Sequence, residues 1–152
     1  MFPPGILGSR ADILIDIVML SFIVILPVLV ISWRLARVKK NYALHRKIQI
    51  TLGVSLGIVV AIFEYDLSQS GGIFELTKGG EYEGTAILNW TIWVHTAFAV
   101  LAAIIWAGLI VVSMFKFENP PRPNDFSSWH RIFGRVGMIT MIGAGVTAPP
   151  VR

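Results

Sequence analysis

AILNWTIWVHTAFAVLAAIIWAGLIVVSMF, residues 86–115, contains no formally charged side chain along its whole length. About 20 apolar residues, each rising 1.5 Å, cross a hydrocarbon core of about 30 Å as a helix. This stretch is longer, so we expect a transmembrane helix that tilts or protrudes. In lipid, only helices and closed barrels satisfy all their backbone hydrogen bonds. The segment therefore predicts an all-α integral membrane protein.

Three more apolar segments extend this prediction to a bundle of four transmembrane helices. Residues 13–33 contain one charged side chain, Asp16, together with Pro27, and residues 48–67 form the next segment. The least apolar segment is residues 132–146, which contains Arg135. We expect residues 1–152 to form a single transmembrane domain, with spans at about residues 12–33, 48–67, 86–115 and 131–148.

Composition agrees with a membrane protein. The chain is 55% hydrophobic and only 14% charged, whereas soluble domains are about 25% charged. It has no cysteine, which excludes disulfides, iron–sulfur clusters and thiolate metal sites. We find no phosphate-binding loop, nucleophile elbow or zinc-protease motif. These observations exclude a soluble enzyme and favour a protein that is not an enzyme.

The charges predict how the chain sits in the membrane. The connection between the first two spans carries basic residues and no acid, and four basic residues, Lys116, Arg122, Arg131 and Arg135, lie between the last two spans and just inside the fourth. The middle connection carries Glu75, Glu81 and Glu83 against Lys78 alone. The positive-inside rule then places both termini outside and the two basic connections in the cytoplasm. We interpret the basic residues as orientation and lipid-headgroup anchors, not as a nucleic-acid surface.

Five ionisable residues in or beside the apolar segments are the most informative: Asp16, His45, Glu64, His95 and His130. On helical projection each histidine shares a stripe with small residues, which predicts that it faces the interior. His45 and Glu64 share their stripe with Gly53 and Gly57, a spacing typical of closely packed membrane helices. By depth, Asp16, Glu64 and His95 form an outer group, with Asp66 as a further candidate, and His45 and His130 form an inner group.

Two interpretations of these residues stay open. Imidazole binds copper, zinc and haem iron, so His45, His95 and His130 are candidate cofactor ligands, with haem or copper as the cofactor. Glu64, His95 and Asp16 are candidate metal ligands, because carboxylates can complete such a site. Alternatively, His95 hydrogen-bonds Glu64 or Asp16 and fixes helix register, while His45 and His130 are ordinary interface residues. Ionisable groups within membranes favour a functional role.

Several short motifs recur in an order and spacing that resemble a known family. They are LHRKIQ, FEYD, WVHTAFA, FENPPRP and SWHRIFGR, at residues 44–49, 63–66, 93–99, 117–123 and 128–135. The pattern resembles the membrane family numbered 420 among domains of unknown function, with its CtaM/YozB-like cytochrome oxidase maturation factors. The resemblance implies a small helical membrane protein in which His45, His95 and His130 match intramembrane histidines. It departs from the family at residues 64–66, where oxidase-maturation members usually have a further histidine, and after Thr147.

Three functions follow as hypotheses. The first is a non-catalytic accessory protein, either a subunit or an assembly factor of a respiratory or other energy-converting membrane complex. Its partners would be the lipid bilayer and other membrane subunits, and the resemblance implies the bacterial inner membrane. The second is a small haem- or copper-binding protein for electron transfer or metal delivery. The third is a small transporter or proton relay that uses Asp16, Glu64 and His95, although four spans leave little room for the repeats common in transporters.

Overall fold

The computed structural model describes residues 13–148, and within them the chain is helical with no β-strand. Its elements are α1 (Ile13–Arg37), α2 (Tyr42–Gln69), the short α3 (Ile73–Leu76), α4 (Ala86–Lys116) and α5 (Ser127–Val146). The all-α prediction is confirmed for this part of the chain. The first residue of the predicted first span and both chain ends lie outside the described residues.

Three helices are long and apolar enough to cross a membrane: α1, α2 and α4. At 31 residues, α4 is about 46 Å long and exceeds the hydrocarbon core, as its sequence predicts. The fourth predicted span corresponds to α5, which has 20 residues but is not in this group. Its first half carries His130, Arg131 and Arg135, and its glycines add little hydropathy.

Side-chain caps fix where two of the long helices begin. The Asn41 side chain accepts a hydrogen bond from the Leu44 backbone N–H at 3.1 Å, ahead of α2. Thr85 does the same for the Leu88 N–H at 3.3 Å, ahead of α4. Both caps satisfy one of the backbone donors that a helix start leaves unpaired. They place the first turns of α2 and α4 at opposite ends of the bundle.

The long helices form two antiparallel hairpins, α1–α2 and α4–α5. Each hairpin is packed extensively within itself, whereas the two meet more sparsely through α2 with α4 and α1 with α5. The four helices therefore enclose a ring in which α2 and α5 face each other across a diagonal. A small apolar core at the centre contains Ile25, Leu29, Ala102 and Met141.

Close packing depends on glycine at two places in particular. A Cβ atom on Gly143 of α5 would lie 2.6 Å from a ring carbon of Phe98 on α4. On α2, a Cβ on Gly53 would lie 2.7 Å from the Ile110 Cδ1, but one on Gly57 would meet nothing within 4 Å. The prediction that both glycines of α2 pack closely is therefore confirmed only for Gly53.

We name the two ends of the bundle by the charges that predominate in the helix ends and connections there. The basic end carries residues 38–41 and 117–126, and the acidic end carries residues 70–85. Large apolar side chains are exposed around the helices between these ends, including Ile87 at 69%, Ile104 at 65% and Phe115 at 85%. Such a surface suits contact with lipid and not with water.

Candidate functional site

A hydrogen-bonded network joins three helices at the basic end. The hydroxyl oxygen of Ser32, on α1, lies 2.8 Å from the Nδ1 atom of His45. The backbone carbonyl oxygen of Ser32 lies 3.0 Å from the same nitrogen. Gln49 donates to the Ser32 Oγ at 3.1 Å, and Trp106 of α4 donates to the Gln49 Oε1 at 2.7 Å. Ser32 is fully buried. The network fixes His45 in position relative to both hairpins.

The second hairpin carries a similar serine–histidine pair. The Ser113 hydroxyl of α4 lies 2.9 Å from the His130 Nδ1 of α5. The rings of Phe117 and Phe126 pack edge-on against the His130 ring, with centroid distances of 5.4 and 6.3 Å. His130 is therefore held by one hydrogen bond and by aromatic contacts.

His45 and His130 meet across the diagonal of the bundle. Their ring centroids are 6.1 Å apart and their planes are nearly perpendicular, at 86°. When two imidazoles bind one metal atom from opposite sides, each metal–nitrogen bond is about 2.0 Å long, so the two nitrogens are about 4 Å apart. The centres of the two rings are then about 6 Å apart. The separation of this pair fits two ligands of one metal atom.

The hydrogen bonds also bear on which ring nitrogen of His45 carries the proton. A carbonyl oxygen only accepts, so a hydrogen bond to the Ser32 carbonyl uses the tautomer with the proton on the His45 Nδ1, whereas the Ser32 hydroxyl, 2.8 Å from this nitrogen, suits either tautomer. In the neutral ring, the Nε2 atom then carries a lone pair. Metal-binding histidines are commonly held in this way, with the second nitrogen donating to a carbonyl that fixes tautomer and orientation. With the proton on Nδ1, the Nε2 atom of His45 is the nitrogen that could accept a hydrogen bond or bind a metal.

Both histidines line a cavity of about 490 Å³ at the basic end. This volume lies within the range of small-molecule and cofactor sites. Apolar residues from three helices form much of its wall, among them Leu29, Ile105, Leu109, Met138 and Met141. The cavity offers a largely apolar space with two imidazoles, which is the chemistry that a metal–porphyrin requires.

The outer candidate residues are placed differently. Asp16 is buried at 1% exposure, whereas Glu64 is exposed. The prediction that Glu64 lies on a packed face is wrong, because α2 packs chiefly on α1 and only sparsely on α4. The His95 Nδ1 donates to the Ala144 carbonyl oxygen at 2.9 Å, so the hydrogen bond that joins His95 to α5 uses the backbone and not a carboxylate.

Within residues 13–148, no group of three or more histidine and acidic side chains is arranged to hold a metal ion. The described structure therefore does not bring Asp16, Glu64 and His95 together as a three-ligand site. Nor does it add His95 to the inner pair, because His95 contacts Ala144 in the last turn of α5, near the acidic end. A role for any of these three residues alone stays a prediction.

The sequence reasoning missed Ser32 and did not recognise the part played by Gln49, Trp106 and Ser113. Ser32 and His45 lie almost equally far from the connection between α1 and α2. Ser113 and His130 are likewise placed symmetrically about the connection between α4 and α5. In an antiparallel hairpin, such positions lie at the same depth. This symmetry could have paired each histidine with its serine.

The acidic end carries an exposed ion pair in the connection between α2 and α4. Lys78 Nζ lies 2.6 Å from Glu75 Oε1. The hydrogen bond to Glu75 and the attraction of its charge raise the pKa of Lys78. Both side chains are well exposed, so the pair contributes little to stability.

No family model matches this chain, and no curated protein and no solved structure matches it either. The resemblance to the family of cytochrome oxidase maturation factors therefore stays a prediction from the sequence motifs.

Proposed function

We propose that this chain is a multi-pass membrane protein that holds a metal-centred cofactor between His45 and His130, as an accessory protein of an energy-converting membrane complex. The proposal rests on one observation: two imidazoles from diagonal helices meet beside a cavity at 6.1 Å, the separation expected for two ligands of one metal atom. A haem ring is the favoured cofactor, because its iron accepts two histidine ligands and its body suits an apolar wall.

The hydrogen bonds of the histidines support ligation over a purely structural role. A structural histidine needs only to satisfy its polar atoms. Here, serines hold both Nδ1 atoms, and the His45 contact leaves the Nε2 of the neutral ring as an acceptor. Holding one nitrogen and presenting the other is the arrangement that metal sites use.

We further propose that α5 is a fourth span, with the basic end in the cytoplasm and both termini outside. α5 packs extensively on α4, and at 20 residues it is about 30 Å long. Its arginines, Arg131 and Arg135, lie in its first half, near the basic end. A helix with polar residues enters a membrane when other helices cover them or when they reach the interface.

The way the helices of the bundle pack supports an accessory role in a larger complex. The two hairpins meet sparsely, and α5 depends on α4 for much of its contact. A bundle of this kind gains stability from further membrane helices. The motifs that resemble oxidase maturation factors favour the same role. We therefore propose other membrane subunits as its partners and the bacterial inner membrane as its location.

The proposal is tested by an optical spectrum and metal analysis of the full chain, purified in mild detergent and titrated with haemin. We expect a Soret band, or stoichiometric metal, that is lost in His45→Ala and in His130→Ala. His95→Ala is the matched control, since it removes a histidine on another helix and should leave the spectrum unchanged. A protein that binds neither haemin nor metal, or equal loss in all three variants, would contradict the proposal.

A further inference from the structure

Basic side chains are numerous among the residues that line the cavity. Among the described residues, six of those that line the cavity are basic and none is acidic; the six are Arg37, Lys40, Arg46, Arg122, Arg131 and Arg135. They come from α1, α2, α5 and both connections at this end. We call these six residues the basic rim. The rim creates a positive potential over the space that the two histidines share.

Membrane orientation alone does not account for this arrangement. The positive-inside rule requires basic residues near the cytoplasmic ends of spans but not that they face a cavity. Lys39 and Lys47 lie at the same end and do not line the cavity, so they serve orientation without contributing to the rim. Two acids lie in the connection between α4 and α5, Glu118 and Asp125, and neither lines the cavity.

Few contacts within the described chain use the charges of the rim. Arg46 donates to the backbone carbonyl of Glu118 at 3.3 Å, and Arg37 lies 5.4 Å from the Trp33 ring centroid. The ion pair found in residues 13–148, between Lys78 and Glu75, lies at the opposite end. The guanidinium groups of the rim are therefore not neutralised by the carboxylates of this part of the chain.

The basic rim also discriminates between kinds of ligand. Six positive charges repel a bare metal cation, because like charges a few ångströms apart interact unfavourably even near a protein surface. The same charges attract a ligand with an apolar body and acidic groups at one edge. Guanidinium groups match carboxylates particularly well, since they form two parallel hydrogen bonds with them.

We infer that the cavity takes an iron porphyrin with free carboxylate arms and that the basic rim, with Arg131 and Arg135 at its α5 side, binds those arms. This inference rests on the proposed function, because it assigns the ligand of the same histidine pair. It goes further in predicting that the acidic groups of the ligand, and not its iron alone, determine binding.

The test compares haemin with haemin dimethyl ester, which has the same iron and ring but no free carboxylates. Both are titrated into the full chain in neutral detergent and followed by absorption. We expect the wild-type protein to bind haemin about tenfold more tightly than the ester, or better. Arg131→Gln with Arg135→Gln should remove most of this preference by weakening haemin binding and leaving ester binding unchanged. Both arginines are exposed, so the double variant should fold normally.

Lys39→Gln with Lys47→Gln is the matched control. It removes the same charge from the same end, but at residues outside the cavity. We expect it to preserve the preference for haemin. Equal affinity for the two probes, or an equal effect of both double variants, would overturn the inference. Binding of phosphatidylglycerol that depends on the arginines while haemin binding does not would also overturn it and would assign the rim to lipid headgroups.

The outcomes separate this inference from the proposed function. If the wild-type protein binds the ester through His45 as tightly as haemin, and the arginine variant binds haemin as tightly as the wild-type protein does, only the role of the basic rim fails. If the wild-type protein takes up copper at the histidines but neither porphyrin, the histidine site stands and the porphyrin assignment fails. If no probe binds, both proposals fail.

Discussion

The basic and acidic ends of the bundle both carry candidate site residues, but these residues are organised differently. At the basic end, His45 and His130 approach each other and hydrogen-bond serines on neighbouring helices. At the acidic end, Asp16 is buried, Glu64 is exposed, and His95 binds a backbone carbonyl. Helices at this end instead meet through close apolar packing, with Gly143 against the Phe98 ring.

The difference shows that an inward position on a helix does not by itself create a site. Polar side chains form a site only when the helices that carry them converge at the same depth. At the basic end, the antiparallel pairing within each hairpin places a serine beside each histidine. The two histidines then meet across the diagonal of the bundle. At the acidic end, Glu64 is exposed, and over its whole length α2 packs sparsely on α4.

The largest expected effect on stability is at the acidic end, from Gly143→Ala. A Cβ there would lie 2.6 Å from a carbon of the Phe98 ring, which is too rigid to move away cheaply. We expect a loss of about 1–3 kcal/mol in unfolding free energy, measured by SDS titration of the detergent-solubilised protein. Gly108→Ala is the control, since its Cβ would meet nothing within 4 Å. Equal effects of the two changes would contradict apolar packing as the basis of this end.

Ser32→Ala should have the next largest effect, at the basic end. It removes a buried hydroxyl that accepts from Gln49 at 3.1 Å and lies 2.8 Å from the His45 Nδ1. We expect a loss of about 1–2 kcal/mol in the same titration. Ser21→Ala is the control in the same helix, because within residues 13–148 the Ser21 hydroxyl donates to the Ile17 carbonyl of its own helix, at 2.7 Å, and not to another helix. A Ser32 effect no larger than that of Ser21 would argue against the network as a stabilising element.

His95→Ala should destabilise the protein less than Ser32→Ala. The change removes one hydrogen bond, 2.9 Å long, to the Ala144 carbonyl. Hydrogen bonds between membrane helices average about 0.6 kcal/mol, so we expect a loss of this order. Thr96→Ala, at the neighbouring exposed position, is the control. A loss larger than that from Ser32→Ala would show that the acidic end also depends on polar contacts.

The smallest expected effect concerns the ion pair of Lys78 and Glu75. Because the pKa of Lys78 is raised above its ordinary value of 10.5, the ammonium form is favoured in the folded state. Any stabilisation is therefore complete below the ordinary value and is lost as the pH rises through the raised pKa. We expect Lys78→Met to leave the melting temperature at pH 7 nearly unchanged, since both side chains are exposed. A clear drop at pH 7 would show a structural role for this connection.

Much of the fold could be predicted from the sequence, because lipid strongly restricts the choice. In a membrane, the uncharged stretch at residues 86–115 can only form a long helix, and the structure has α4 at Ala86–Lys116. The fourth segment was harder to predict, because the arginines and glycines of α5 lower its hydropathy. How such a segment behaves depends on the neighbouring helix that covers it.

The candidate site was predicted only in part. Small-residue stripes correctly indicated interior histidines at positions 45 and 130, but the same reasoning placed Glu64 on a packed face. Gly53 and Gly57 show the reason: they share a stripe, yet only Gly53 approaches another helix. A stripe spans a wide arc of a helix, and only part of that arc is in contact at any depth.

The sequence by itself determined that the chain is helical, that most of its helices suit lipid, and that basic charge is concentrated at one end. These properties follow from local composition, which sets the transfer free energy of each segment and the charge of each connection. Only the tertiary structure decided that His45 meets His130, that Ser32 holds His45, and that basic residues from several segments surround one cavity. Those facts depend on the relative rotation and depth of whole helices, which packing between distant parts of the chain determines.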